Sequence, residues 1–368
     1  MNSTKKLMNS TLLLLNKNTG VTSFEALKPI KRALGSGKVG HTGTLDKFAE
    51  GLLVVLSGRA LKLSQYFLHA DKHYLATVYF GAETDTLDPE GSVIFSGAPP
   101  PARDALEAIL GGKFTGTIEQ VPPMYSAIHI DGKRAYQIAR GMKRPSHAEG
   151  KPESTCGGRP SHPESEPEST CGGRPSHPEG EAESTCGGRP SHPESEAESA
   201  LGTPKSRLVT IHSLKLLSYE PPLARLAVHC SSGTYIRALA RDIALALGSR
   251  AHLVELRRTA VGLFSLEDAI SCDAGEEPEA LAAKIAGAAS PLDKKIFAKI
   301  GIPSIEVDAA CAQAMRFGKP LGALLPPPSE HEATLAVFCE DVFIAVITRD
   351  TSGSGKIWRY GYVNGGSE

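Results

Sequence analysis

Apolar positions in this chain recur in two periods, which interleave irregularly along it. Thr11 to Lys17 carries a run of leucines and reads as a strand leading into the turn Asn18-Thr19-Gly20. Thr22-Ser23-Phe24-Glu25 is a capping-box pattern that opens a helix with Phe24, Leu27, Ile30 and Leu34 on its apolar side. Pro29 lies inside that helix and should kink or shorten it, because proline lacks the N–H the helix needs. Lys72 to Phe80 alternates, with Tyr74, Ala76, Val78 and Phe80 on one face, and Leu226 to Cys230 alternates likewise. After Gly233-Thr234 the period becomes helical through Ile236, Leu239, Ile243 and Leu247, stopping at Gly248. Strands mixed with helices outside a strict βαβ series predict an α+β domain. Near Ser290-Pro291-Leu292 the character changes: a short helix over Ala309 to Phe317 precedes a strand pair around Ala333 to Phe338 and Val342 to Thr348. The expected organisation is a first domain over 1–290 and a small β-rich domain over 291–368.

The first domain is interrupted. RPSH recurs at Arg144, Arg159, Arg174 and Arg189, and ESTCGG at Glu153, Glu168 and Glu183, a repeat of fifteen residues. The stretch 144–200 is rich in Pro, Glu, Ser and Gly and almost free of aliphatic and aromatic side chains. It cannot bury enough surface to offset its chain entropy and is expected to be a disordered, tandemly duplicated surface insertion. Each unit carries a His and a Cys, such as His162 and Cys171, but the spacing is not that of a compact zinc site. The insertion also disguises the charge. It holds eleven Glu against four Arg and one Lys, so removing it from the formal net charge of −1 leaves +5 on the remainder. That mildly basic remainder permits an RNA partner. Hydrophobic residues at 40% and charged residues at 22% suit a soluble protein with a real core. Lys5 and Lys6 precede only four consecutive leucines, too few for a secretory signal, and no stretch approaches the ~20 apolar residues of a membrane helix. Cys230, Cys272, Cys311 and Cys339 are scattered in apolar contexts, as expected for reduced thiols of a cytoplasmic protein.

Four short segments can carry chemistry. Gly40-His41-Thr42-Gly43-Thr44-Leu45-Asp46 ends a glycine-flanked loop on a carboxylate just before the apolar run Leu52 to Leu56. Such a carboxylate can act as nucleophile or base, although in isolation a helix N-cap is the commoner use. Ser232-Gly233-Thr234-Tyr235-Ile236-Arg237 joins a strand to a helix, and Arg237 can pair with a carboxylate in a dry site. Lys72-His73-Tyr74 brings an aromatic residue into a strand, and the prolines of Val121-Pro122-Pro123-Met124-Tyr125-Ser126-Ala127 fix an extended segment.

Taken together and in this order, the segments resemble the TruB family of pseudouridine synthases, which convert a uridine in the T-loop of tRNA to pseudouridine. The resemblance rests on GHTGTLD at Gly40 to Asp46, KHYLA at Lys72, GAETDTLDPEG at Gly81 to Gly91 and QVPPMYSAIHIDGKRAYQIAR from Gln120. GTYIRALARDIALALG from Gly233 and AHLVELRRTAVG from Ala251 complete it. It implies the pseudouridine synthase fold, a mixed and largely antiparallel sheet flanked by helices and loops, with a PUA-like RNA-binding module at the C-terminus. It implies Asp46 as the catalytic aspartate and Arg237 as its partner. Tyr74 matches the tyrosine that stacks on the target base and has been considered a proton acceptor, and Tyr235 and Leu256 match residues lining the uracil pocket. His41 and Lys17 match residues that contact RNA. The family usually has proline after the aspartate, where this chain has Lys47, and threonine where it has Glu50. Loss of the proline should loosen the loop, and Glu50, if close, should raise the pKa of Asp46.

The implied reaction breaks the bond between uracil nitrogen and ribose and rejoins the base through carbon. It involves no redox step, so no cofactor and no metal are expected. The partner is the T-stem-loop of tRNA, bound by a monomer, with Lys28, Lys31, Arg32, Lys133, Arg134 and Arg140 as candidate phosphate contacts. Three other readings compete: a non-catalytic tRNA-binding or tRNA-folding protein, a glycosidase using Asp46 and Glu50, and an RNA-guided relative. Asp46, Tyr74 and Arg237 together argue against the first, the flanking motifs against the second, and the absence of lysine-rich tails against a guide RNA.

Overall fold

The computed structural model describes residues 10–35, 37–124, 205–273, 275–329, 333–350 and 357–364, and the backbone alone of 129–130 and 133–134. The repeat 144–200, with His162 and Cys171, therefore lies outside the described residues, as do Lys5, Lys6, Tyr125, Arg140 and the side chains of Lys133 and Arg134. Residues 1–126 and 204–368 form one compact unit, and 127–203 are a separate one.

The larger unit is built on an eleven-stranded sheet. Its main strands are β1 (Ser10–Lys17), β2 (Glu50–Gly58), β3 (Lys72–Phe80), β4 (Gly116–Gln120), β5 (Arg207–Glu220), β6 (Leu223–Cys230), β7 (Ala251–Val261) and β8 (Ile270–Ser271). They lie in the order β8-β1-β2-β7-β3-β6-β5-β4. Only the β8–β1 and β2–β7 pairs along this path are parallel. The expected α+β class with a mixed, largely antiparallel sheet is what forms. The leucine run explains why β1 sits inside. Leu13 and Leu15 join the core that also holds Ala76, Val78 and Phe80 of β3, while Leu12 and Leu14 join a second core on the opposite face. The run Leu52 to Leu56 of β2 divides in the same way, as unbroken apolar strands do when both faces are covered.

The capping box forms as the sequence predicts: the Thr22 hydroxyl accepts from the Glu25 N–H while Glu25 accepts from the Thr22 N–H. Helix α1 (Ser23–Ala26) ends after one turn, and α2 (Lys28–Leu34) begins with Pro29 in its first turn. The chain thus places the proline where its missing N–H costs nothing. Helix α3 (Arg103–Gly111) covers β5, and α4 (Ile236–Ala246) follows β6 with Leu239, Ile243 and Ala244 buried. Gly248 takes φ +67°, a left-handed stop.

The C-terminal residues form a four-stranded sheet in the order β9 (Ser304–Glu306), β10 (Thr334–Cys339), β11 (Val342–Arg349) and β12 (Trp358–Val363). The short helix forms over Ala309–Arg316, and the strand pair lies where the sequence predicts it. Phe338, Phe343, Val346 and Tyr362 pack into the core that contains Leu12, Leu52 and Phe297.

Candidate active site

Asp46 caps no helix. It lies in the irregular loop between the short strand Val39–His41 and β2, and its carboxylate turns to Arg237. Arg237 Nε is 2.9 Å from Asp46 Oδ2 and its Nη2 donates to Oδ1 at 3.1 Å, a two-point grip that sets both position and rotation of the carboxylate. The cap reading fails because a long-range partner, contributed by the second residue of α4, outcompetes a local one.

Arg237 is held from behind. Its Nη1 donates to Asp88 Oδ2 at 3.1 Å and to the Thr86 carbonyl at 2.8 Å. Asp88 in turn accepts from the Thr86 hydroxyl at 2.6 Å and from the Glu90 N–H at 3.0 Å. Between them Leu87 adopts φ +61°, a left-handed conformation that costs a branched residue energy and aims Asp88 inward. The Asp88–Arg237–Asp46 row therefore leaves the guanidinium no freedom to swing away. Burial pushes the Asp46 carboxyl above its ordinary value, Arg237 opposes this, and the nearby carboxylates Asp88 and Glu90 add to the rise. The second carboxylate acting on Asp46 is thus Asp88. Glu50, expected in that role, points to Arg257 at 3.4 Å and is not among the groups that shift Asp46. Lys47 reaches the exposed Glu90 at 3.5 Å.

The loop is not loose for want of its proline. Every carbonyl from Gly43 to Phe48 has a donor. Arg258 Nη2 reaches Gly43 O at 3.0 Å and its Nη1 reaches Thr44 O at 3.5 Å. The buried Ser23 hydroxyl donates to Leu45 O at 3.0 Å and accepts from Leu45 N. Asp46 O takes the Ala49 N–H, Lys47 O takes the Gly20 N–H and Lys17 Nζ, and Phe48 O takes the Thr19 hydroxyl. Arg258 also ties the loop to β2 through Leu52 O at 2.7 Å. Gly51, at φ +110°, lets the β2 backbone approach Arg258, since a Cβ there would lie 2.3 Å from Arg258 O.

Around Asp46 lies a cavity of about 310 Å³ lined by Tyr74, Tyr235, Leu256, Lys72, Arg237 and Arg258, among others. Tyr74 of β3 is directly opposite Arg258 of β7 and Val228 of β6, and Leu256 is opposite Ala76. Burial pushes the Tyr74 phenol up and Arg258 pulls it down less, so at neutral pH it presents a ring and an intact O–H. Tyr235 is the residue just before α4. The amide of buried Gln120 brackets it, accepting from Tyr235 N at 2.8 Å and donating to Tyr235 O at 3.1 Å, while the Arg207 guanidinium stands 5.2 Å over its ring. Lys72 Nζ donates to the carbonyls of Leu68 and Ala70, and burial lowers its pKa to about 8.

The structure thus brings Asp46, Tyr74, Tyr235, Arg237 and Leu256 to one cavity. His41 and Lys17 are elsewhere. His41 pairs with Val55 in the sheet, its buried Nδ1 has no partner among the described residues, and burial lowers its pKa. Lys17 is only 1% exposed, its ammonium donating to the carbonyls of Asn18, Val21 and Lys47. In this structure it fastens the loop behind Asp46 and presents no charge to solvent. The residues that sequence reasoning passed over are Arg258, Asp88 and Gln120. Each lies inside a quoted motif, so the signal was there, but only the fold says what each one holds.

Residues 31–151 match the family model described as TruB family pseudouridylate synthase (N terminal domain), and residues 237–294 match the tRNA pseudouridylate synthase B C-terminal domain. Proteins named tRNA pseudouridine synthase B are similar over most of the chain. That of Borreliella burgdorferi (strain ZS7) is 37% identical over 268 residues, 72% of this chain and 74% of its own. That of Azoarcus sp. (strain BH72) is 35% identical over 336 residues, 91% of this chain and 89% of its own. Among solved structures, a chain of a Cbf5-Nop10-Gar1 complex shares the fold, with a TM-score of 0.61 and 20% identity over 98% of this chain and 86% of that one. With relatives this similar over this much of its length, and with residues of four of its motifs lining one cavity, the chain belongs to the TruB family of pseudouridine synthases.

Proposed function

We propose that the protein isomerises the T-loop uridine at position 55 of tRNA to pseudouridine, with Asp46 as nucleophile or base. The observation that carries this is the Asp46 carboxylate, gripped at two points by Arg237 and opening into the Tyr74–Tyr235–Leu256 cavity. The names of the relatives support tRNA as the substrate. In the reaction the N1–C1′ bond breaks, the uracil turns while confined, and a C5–C1′ bond forms. The C5 proton is lost and N1 gains one. Asp46 attacks C1′ or removes the 2′ proton, and either role requires the ionised carboxylate that Arg237 favours. Tyr74 and Tyr235 offer aromatic faces to a base that has left its stack, at a cost of a few kcal/mol, and Leu256 closes the apolar wall.

Three finer points belong to the same proposal. The enzyme works as a monomer without a guide RNA. It acts in the cytoplasm, in keeping with the finding that no helix among the described residues is long and apolar enough to cross a membrane. The C-terminal region over 291–368, with its sheet from Ser304 to Val363, is a PUA-like module that adds RNA contacts, and the exposed Lys28 and Arg32 and the half-buried Lys31 add others from α2. The test is pseudouridine formation on T-stem-loop RNA by wild type and Asp46→Asn. The variant should lose at least about four orders of magnitude in rate, as removal of an essential reacting group does. Equal conversion by both proteins would remove Asp46 from the reaction.

A further inference from the structure

A second cluster of side chains has no part in the cavity. His73 of β3 and His229 of β6 are directly opposite in the sheet, their rings stacked with centroids 3.9 Å apart and planes at 12°. On the next strand, β5, Ile211 pairs with Cys230 and Ser213 pairs with His229, so the intervening His212 is an additional, bulged residue. A bulge re-aims a side chain that strict alternation would send elsewhere, and here it sets the His212 ring 4.6 Å from that of His229. Asp71, just before β3, completes the group. Its Oδ2 is 3.3 Å from His212 Nε2 and 3.9 Å from His229 Nε2. One ligand atom from each of the three residues lies within 4.8 Å of the others.

We propose that Asp71, His212 and His229 form a binding site for a divalent transition-metal ion of the zinc class, distinct from the catalytic cavity, which ties together three neighbouring strands. Two imidazole nitrogens and a carboxylate oxygen are the donors such an ion prefers, and three protein ligands leave a fourth position for water. A tetrahedral ion with bonds of 2.0–2.1 Å needs donors roughly 3.3–3.4 Å apart. The Asp71–His212 separation already meets this, and the part-exposed rim allows the His229 side chain to close the remainder. His73 touches no ion: its ring stacks on that of His229 and orients it towards the site, so His73 is a positioning residue.

The experiment uses the full chain, stripped with a chelator and titrated with zinc chloride, reading bound equivalents by equilibrium dialysis and Tm by thermal melting. Because the repeat carries its own His and Cys, the quantity read is the difference between wild type and variants. His212→Asn and His229→Ala should each bind one equivalent fewer than wild type and lose the zinc-induced rise in Tm. His73→Ala should keep the equivalent with affinity reduced about 10-fold, as loss of an orienting neighbour does. Asp71→Asn, nearly isosteric, guards against misfolding and should weaken zinc by at least about 10-fold. The same stoichiometry and the same Tm rise in wild type, His212→Asn and Asp71→Asn would overturn the site.

Discussion

The loop from Gly43 to Phe48 and the C-terminal sheet from Ser304 to Val363 are opposite solutions to one problem. Both must hold a backbone still. The sheet does so with regular ladders and an apolar interior in which Val337, Phe338, Ile344 and Val346 are fully buried. The loop has no regular pairing, yet each of its six carbonyls is taken by a donor from Arg258, Ser23, Ala49, Gly20, Lys17 or Thr19. Irregular backbone near a buried site is tolerated only when its polar groups are satisfied, and here the donors other than Ala49 come from β1, α1, the β1–α1 turn and β7. Such a loop can hold a reactive carboxylate in a geometry no ladder provides, but its order is borrowed. Losing a long-range donor should disturb chemistry first, whereas losing a buried ring of the sheet should disturb stability first.

The largest effect expected is that of Arg237→Gln. The substitution takes the shared cation from Asp46 and Asp88 together and leaves Asp88 buried without its charge partner. Unfolding stability should drop by about 3–5 kcal/mol, the usual cost of breaking a buried pair from one side. Arg237 is also what holds the Asp46 pKa down against burial and Asp88. Without it that pKa rises further. Because the acid limb of the rate falls as pH drops through the Asp46 pKa, the limb should move to higher pH in the variant. A pH–rate profile showing no displacement of that limb would separate Arg237 from Asp46 in function.

Phe338→Ala tests the other region. Phe338 is fully buried among Phe297 and Phe343, with ring centroids 5.9 and 5.6 Å away, in the core between β1–β2 and the C-terminal sheet. Its removal should cost about 3 kcal/mol, the low end for a buried aromatic, because the neighbouring rings can partly collapse into the space. Turnover per folded molecule should stay within about twofold, measured below the depressed Tm. A large fall in kcat with little change in Tm would mean that the C-terminal sheet positions the catalytic loop and does more than support it.

The same contrast governs what the sequence discloses. Alternation in Lys72–Phe80, the leucine run of β1, the capping box at Thr22 and the C-terminal strand pair are local patterns, and each element forms where its pattern lies. β9 and β12 escaped because three or six residues bounded by loops carry too little periodicity to stand out. At the site, Asp46 and Arg237 were recognisable as a motif pair 191 residues apart. Their geometry was not, since nothing local says that α4 begins beside the loop. Read locally, Asp46 suggested a helix cap, Glu50 a disturbing neighbour and Lys47 a loosened loop. Each reading fails for the same reason: a distant Arg, in turn Arg237, Arg257 and Arg258, decides the outcome.

The smallest effect should come from Lys17→Met, and it isolates one borrowed donor. The Lys17 ammonium is buried and serves three carbonyls, one of them Lys47 O beside the catalytic aspartate. Methionine keeps the apolar stem and removes both the charge and the donors. Loss of the hydrogen bonds destabilises, loss of a desolvated cation stabilises, and at pH 7 the balance should be a net loss of about 1 kcal/mol. The pH dependence is the sharper readout. Burial lowers the Lys17 pKa from 10.5 to about 8 in the folded chain. Between those values the unfolded chain binds the proton that the folded chain has released, so this residue makes stability rise with pH across that window. The variant lacks that contribution. Wild type should therefore gain stability over Lys17→Met as pH rises from about 8 towards 10.5, measured by urea unfolding at each pH, whereas Lys72, lowered by the same cause, contributes equally to both proteins and cancels. Parallel stability curves would show that the Lys17 ammonium is hydrated in solution and that the loop keeps its place without it.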